Sequence, residues 1–146
     1  MDLPRFTGIP ALASHPYAYP ALEVLHIVGI ALLLGSLVLF ELRVWGAAAE
    51  LPLKALARLA LPVSLAGFGL VAMSGLLLFA AHPNDMLGNR AFLIKLGLVS
   101  LAGLNAAFFH ARGSLVLNDA FARAQTVLSL GLWLGAIICG RWIAYL

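Results

Sequence analysis

Charge is scarce in this sequence. Only 10% of its 146 residues are Asp, Glu, Lys or Arg, against about 25% in a soluble domain, and the shortfall excludes an ordinary water-facing surface. Cysteine is nearly missing too. With Cys139 alone there is no intramolecular disulfide, no C-x-x-C redox pair and no C-x-x-C-H for covalent haem attachment. The nine Lys and Arg give a net charge of +3 but lie mainly at the ends of apolar runs. They form no basic stripe that would neutralise phosphates, so nucleic acid is not an expected partner. Short segments of alternating polarity, the mark of a membrane β-barrel, are absent. The opening residues MDLPRFTGIPALASHPYAYP carry acid and proline where a signal peptide has a basic stretch and an apolar core, so insertion is expected to rely on the helices themselves.

What is present is apolar length. Hydrophobic residues make up 63% of the chain, and the mean hydropathy is +1.02. At about 20 apolar residues per span, the length accommodates four helices. The expected fold is therefore all-α, a four-helix transmembrane bundle forming a single domain over residues 1–146, with the lipid bilayer as its surroundings. Residues 1–18, with three prolines, predict an irregular or interfacial lead-in. The helices are expected at about 20–45, 59–81, 91–110 and 124–146, from apolar length and helix start and stop signals. Pro62 falls in the first turn of the second, where its missing N–H is tolerated. GAAAELPLKALARLA reads as a surface link carrying Lys54 and Arg58, HPNDMLGNR as a tight connection, and ARGSLVLNDAFAR as the last link. The links after the first and third helices hold Arg43, Lys54, Arg58, Arg112 and Arg123, more basic residues than the other side offers with Arg5 and Arg90. The positive-inside rule then puts those links in the cytoplasm and both termini on the periplasmic side of a bacterial inner membrane.

The stretch YPALEVLHIVGIALLLGSLVLFELRVWG carries Glu23 and His26 inside an otherwise apolar run. Ionisable residues are costly there and usually functional. At the rise of a helix, His26 lies roughly 9 Å from the periplasmic end. Lys95 stands five residues past Arg90 on the third helix, Arg141 five residues from the end of the fourth, and His82 closes the second. Four helices are thus expected to deliver nitrogen-bearing side chains to one slab. Glu23, three residues before His26, shares its helix face and is expected to orient the imidazole. Lys95, Leu98, Ala102, Asn105 and Phe109 form one stripe facing the interior. Gly29, Gly35, Gly67, Gly69, Gly97, Gly103, Gly131 and Gly135 allow close helix approach, and Gly131-x-x-x-Gly135 reads equally as internal packing or as the seam of a homodimer. Glu41, Arg43 and Trp45 mark the far interface. His110 and Arg112 lie roughly 20 Å from His26 and cannot share a small ligand with it.

Two segments also carry a family resemblance over more than half of the chain. LHIVGIALLLGSLVLFELRVWG resembles an L-H-x-x-G-x-x-x-x-x-G pattern followed by acidic-x-Arg, and SGLLLFAAHPNDMLGNRAFLIKLGLVSLAGLNAAFFH resembles a Gly-rich helix end, an N-x-x-F-x-x-K entry and an Asn-bearing third helix. These belong to a loose group of small four-helix bacterial membrane proteins. More distantly the chain is similar to HemJ-type protoporphyrinogen oxidases and CopD-type copper-resistance proteins. The HemJ resemblance implies b-type haem, with His26 and Lys95 the residues that carry over. A Trp-rich, Tyr-bearing end to the first helix is missing, and Asn105 stands where a later histidine is expected. The methionine-rich and histidine-rich motifs of copper handlers are missing as well.

The leading expectation is a membrane protein binding haem b, working in electron transfer or haem and porphyrin redox chemistry with an unidentified redox partner. His26 would be an axial ligand with Glu23 behind it, since neutral imidazole suits iron. His82 would be the second metal ligand, and Lys95, Arg90 or Arg141 would pair with propionates. The alternatives are a proton- or metal-ion-translocating module using His26, Glu23 and Lys95, copper handling included, and a structural accessory subunit of a membrane complex.

Overall fold

The computed structural model describes residues 7–146, and they are helical almost throughout. Four long helices carry the architecture: α2 (Ala18–Val44), α3 (Leu53–Ala81), α5 (Arg90–Arg112) and α7 (Ala120–Trp142). Each is long and apolar enough to cross a membrane, and even their most apolar windows are at most 22% buried within the protein. The chain is a multi-pass membrane protein whose many outward leucines, isoleucines and phenylalanines are apolar surface for lipid. Short helices fill the connections: α1 (Pro10–Ser14), α4 (Pro83–Gly88) and α6 (Ser114–Leu117), with a closing 3-10 turn at Ile143–Tyr145. The spans alternate in direction, so α1, α4 and the C-terminal turn share one end, here called the terminal end. The α2–α3 and α5–α7 links share the other, the link end.

Boundaries depart from the sequence reading in ways that have local causes. The link after α2 is shorter than expected because Pro52, in extended backbone, starts α3 at Leu53. Lys54 and Arg58 therefore lie on the helix and not on a surface link, and Pro62 sits well inside α3, not in its first turn. Asp119 moves the start of α7 forward from 124, because its carboxylate accepts the Ala122 N–H at 2.9 Å as an N-cap. Asn89 does the same for α5, accepting from Phe92 N and donating through Nδ2 to the Ile143 carbonyl at 3.0 Å. The lead-in is partly helical, and Ile9 N–H donates to the Ala80 carbonyl at 2.8 Å. Arg5 lies outside the described residues.

Packing is intimate within two hairpins and sparse between them. The α2 and α3 backbones cross where Gly29 faces Gly67; a Cβ built on Gly67 would stand 2.5 Å from Leu33 N and 2.8 Å from the Gly29 carbonyl oxygen. Only glycine permits that approach. Gly135 packs inward against Leu98, while a Cβ on Gly131 would meet nothing within 4 Å, so the two ends of that motif look in different directions. Gly35, Gly69, Gly97 and Gly103 likewise meet nothing among the described residues. The predicted α5 stripe does face inward: Ala102 and Phe109 are buried and Lys95, Leu98 and Asn105 half-buried. Phe40, Val44, Ala57, Ala60, Phe109 and Ala122 form an apolar core at the link end, where Trp45 Nε1 donates to Thr126 Oγ1 at 2.7 Å and joins α2 to α7.

Candidate functional site

His26 projects from α2 one turn to the terminal side of the Gly29–Gly67 crossing, and the crossing holds α3 close beside it. Its Nδ1 lies 3.0 Å from Ser74 Oγ. A hydroxyl has one proton to give, and Ser74 directs its own to the Leu70 carbonyl at 2.6 Å. Ser74 must then accept from His26, which places the imidazole proton on Nδ1. The Val71 carbonyl stands on the same side of the ring and would also accept it. His26 Nε2 is left as a bare lone pair. On α3 the ring is accommodated by Gly75, where a Cβ would come within 3.3 Å of His26 Cε1.

Lys95 reaches the same level from α5. Its ammonium and stem lie over Gly140 of α7, where a Cβ would stand 3.3 Å from Nζ. Lys95 is within electrostatic reach of both His26 and Cys139. The layer thus consists of an imidazole and an amine approaching from opposite hairpins, each beside a helix position without a side chain.

The other residues expected in this layer are elsewhere. Glu23 is exposed and exerts its charge on Tyr19; the group that orients His26 is Ser74. Glu23 and His26 are near on the helix surface, but that surface turns Glu23 outward. His82 is exposed as the C-cap of α3, edge-on to Tyr19 at 5.8 Å and 3.9 Å from Asp85. It follows Gly75, which faces His26, by seven residues, so it is displaced along the axis by roughly 10 Å. His82 thus stands at the terminal end, outside the level that His26 and Lys95 share. Arg90 opens α5 and is exposed. Arg141 stands at the expected depth but on the wrong side of α7: it is exposed, donates to Tyr145 Oη at 2.8 Å and lies 5.1 Å over that ring.

A b-type haem would find a ligand in His26 Nε2 and a cation within electrostatic reach of that imidazole in Lys95. Among the described residues no group of three or more His, Cys, Asp or Glu side chains gathers to hold a bare metal ion.

A second polar feature lies toward the link end. A cavity of about 600 Å³ opens between the hairpins, walled by Leu33, Leu37, Phe40, Phe68, Phe109 and Trp133 among others, and into this apolar wall come Glu41, Asn105, Gln125 and Ser129. Glu41 is 1% exposed and Gln125 4%. Among the described residues, neither carboxylate oxygen of Glu41 nor the Nε2 of Gln125 has a hydrogen-bond partner. The Ser129 hydroxyl is close enough to Glu41 to interact but lies outside hydrogen-bond geometry. Gln125 Oε1 is satisfied by Ser114 at 2.6 Å, and its backbone carbonyl by Asn105 Nδ2 at 2.9 Å, so the amide is held with its N–H₂ left over. Sequence reasoning placed Glu41 at the interface and passed over Gln125. A signal was available: Glu41 follows His26 by fifteen residues, about 60° around the helix, and so shares much of its inward face.

Set against described protein families, curated proteins and solved structures, the chain matches none.

Proposed function

We propose that the protein is a b-type haem-binding component of a bacterial inner membrane, with its termini on the periplasmic side, acting in electron transfer or in haem and porphyrin redox chemistry. The observation that carries this reading is the state of His26: half-buried, with Nδ1 committed to Ser74 and Nε2 left as a lone pair, and with Lys95 at the same level. The HemJ resemblance supports it, since His26 and Lys95 are the two residues that resemblance names and also lie within electrostatic reach of one another. Haem bound there would supply one-electron exchange at its iron. Ser74 fixes the plane and tautomer of the imidazole, as the partners of metal-ligating histidines do. Lys95 offers positive charge to a propionate.

The test is the absorption spectrum of purified protein, oxidised and reduced, after expression with ample haem. Wild type should show a Soret band and redox-dependent visible bands, and His26→Ala should lose them. A colourless wild-type protein would overturn the reading. If that colourless protein supported pH-dependent flux in liposomes and His26→Ala abolished it, the bare Nε2 would instead be a proton acceptor in a translocation path.

A further inference from the structure

The link-end cavity shows two unmet needs at once. Glu41 offers two acceptor oxygens with nothing donating to them, and Gln125 offers a donor with nothing accepting it. Buried polar groups in proteins are nearly all paired, and leaving one unpaired costs on the order of 1–3 kcal/mol. The complementary molecule must carry both a hydrogen-bond donor and an acceptor, which excludes an ammonium ion, a donor only, and a purely apolar lipid chain. The walls add a shape requirement, because Phe40, Phe68, Phe109 and Trp133 line the space and aromatic faces favour another planar ring.

The entrance adds a third requirement. On α3 the cavity is bounded by Pro62 and Leu65, on α5 by Gly103, Ala106 and Ala107, and all five are exposed, Leu65 to 71%. These helices scarcely touch at this level, and they are joined nearer the terminal end by the stacked Phe79 and Phe92 rings, 5.7 Å apart. The gap faces lipid. A ligand entering there would leave any long apolar substituent in the bilayer.

From these three features we infer that the cavity binds the ring of a lipid-tailed quinol. One ring hydroxyl donates to the Glu41 carboxylate, a ring oxygen accepts from Gln125 Nε2, the ring lies among the aromatic walls, and the tail leaves between α3 and α5. The site is separate from the His26 layer and its existence does not rest on haem being bound.

The experiment uses the full chain in nanodiscs, with Trp133 in the cavity wall as reporter. A decyl-tailed benzoquinol, kept reduced, is titrated while tryptophan fluorescence quenching is followed. Saturable quenching is expected. Glu41→Gln, nearly the same shape, should weaken binding by roughly tenfold to a hundredfold, the range for a hydrogen bond to a charged group. Gln125→Leu should weaken it by roughly threefold to tenfold, the range for a neutral one. Ala106→Phe, which narrows the entrance without touching either polar group, should abolish it and serves if a core variant fails to fold. His26→Ala should leave it unchanged. Failure of the haem reading would leave every one of these outcomes standing. Binding that is unaltered in Glu41→Gln and Ala106→Phe would overturn the inference. So would equal binding of decylbenzene, which has no polar group, or of decylamine with no dependence on Gln125.

Discussion

Gly67→Ala should separate α2 from α3 and disturb the His26–Ser74 contact, which lies one turn from the crossing on α2 and two turns on α3. The new Cβ would lie 2.5 Å from Leu33 N, 2.8 Å from the Gly29 oxygen and 3.0 Å from Leu32 Cβ. Two of these neighbours are backbone atoms within helices and cannot swing aside. Normal contact requires about 1 Å more, and a gap of that size along the rest of the seam forfeits a quarter to a half of each contact it opens. Overpacking of this kind costs about 1–3 kcal/mol. Gly69→Ala is the control, because its Cβ meets nothing within 4 Å and alanine favours a helix over glycine by up to about 1 kcal/mol. The assay is denaturant unfolding of detergent-solubilised protein followed by circular dichroism. Gly67→Ala should be the less stable of the pair by about 1–3 kcal/mol, and Ser74 should lose contact with His26. Equal stability of the two variants would refute the crossing.

Ser74→Ala keeps the His26 imidazole but frees its Nδ1 and its orientation; the loss of such a partner typically costs 10–100-fold in affinity for a bound metal group, read here as haem retention during titration with a competing apo-globin. Asp119 pairs with Arg112 and caps α7; the Arg112 hydrogen bond, then the Ala122 N–H, hold its carboxyl down from 3.8 to about 2. Because the folded value is the lower one, its contribution is complete above pH 3.8 and is lost as pH falls toward 2. Proteolysis of the α5–α7 link should accordingly be flat from neutral pH down to about 4 and rise below it, and Asp119→Asn should remove that step, a result measurable with an acid-active protease.

Much of this was written in the sequence, and the parts that were not share a cause. Long apolar runs with few charges specify four spans, because backbone in lipid has no alternative to helix. Depth also follows from counting residues, which is why His26, Lys95 and even Arg141 sit at the expected level. Azimuth does not follow from counting: which side of a helix looks inward depends on its neighbours, and Arg141 turns toward Tyr145 while adjacent Gly140 faces Lys95. Ser74 was invisible for a different reason. Ser36 and Ser100 also bond the carbonyl four residues back, as serines in apolar helices commonly do, so nothing local distinguishes the serine that also serves a histidine. Glu41 was masked by Arg43 and Trp45, which do mark an interface: Arg43 Nε caps the link through the Leu51 carbonyl at 2.7 Å. A carboxylate two residues from such a marker reads as part of it until α7 is seen to close over it.

The consequence is that α2 carries two polar stations instead of one. His26 and Glu41, fifteen residues apart, are separated by roughly 22 Å along the helix, too far for direct interaction. Between them lies the Gly29–Gly67 crossing, where α2 and α3 approach so closely that a Cβ on Gly67 would stand 2.5 Å from Leu33 N. The second hairpin supplies a polar group at each level, Lys95 at that of His26 and Gln125 in the cavity with Glu41, and meets the first through aromatic pairs such as Phe40–Phe109 and Phe68–Trp133. A ligand filling the cavity therefore bears on the seam between the hairpins, not on the seam that positions His26 against Ser74. Occupancy at the link end should leave the imidazole's orientation intact, which is what permits His26→Ala to serve as an unaffected control for binding at Glu41.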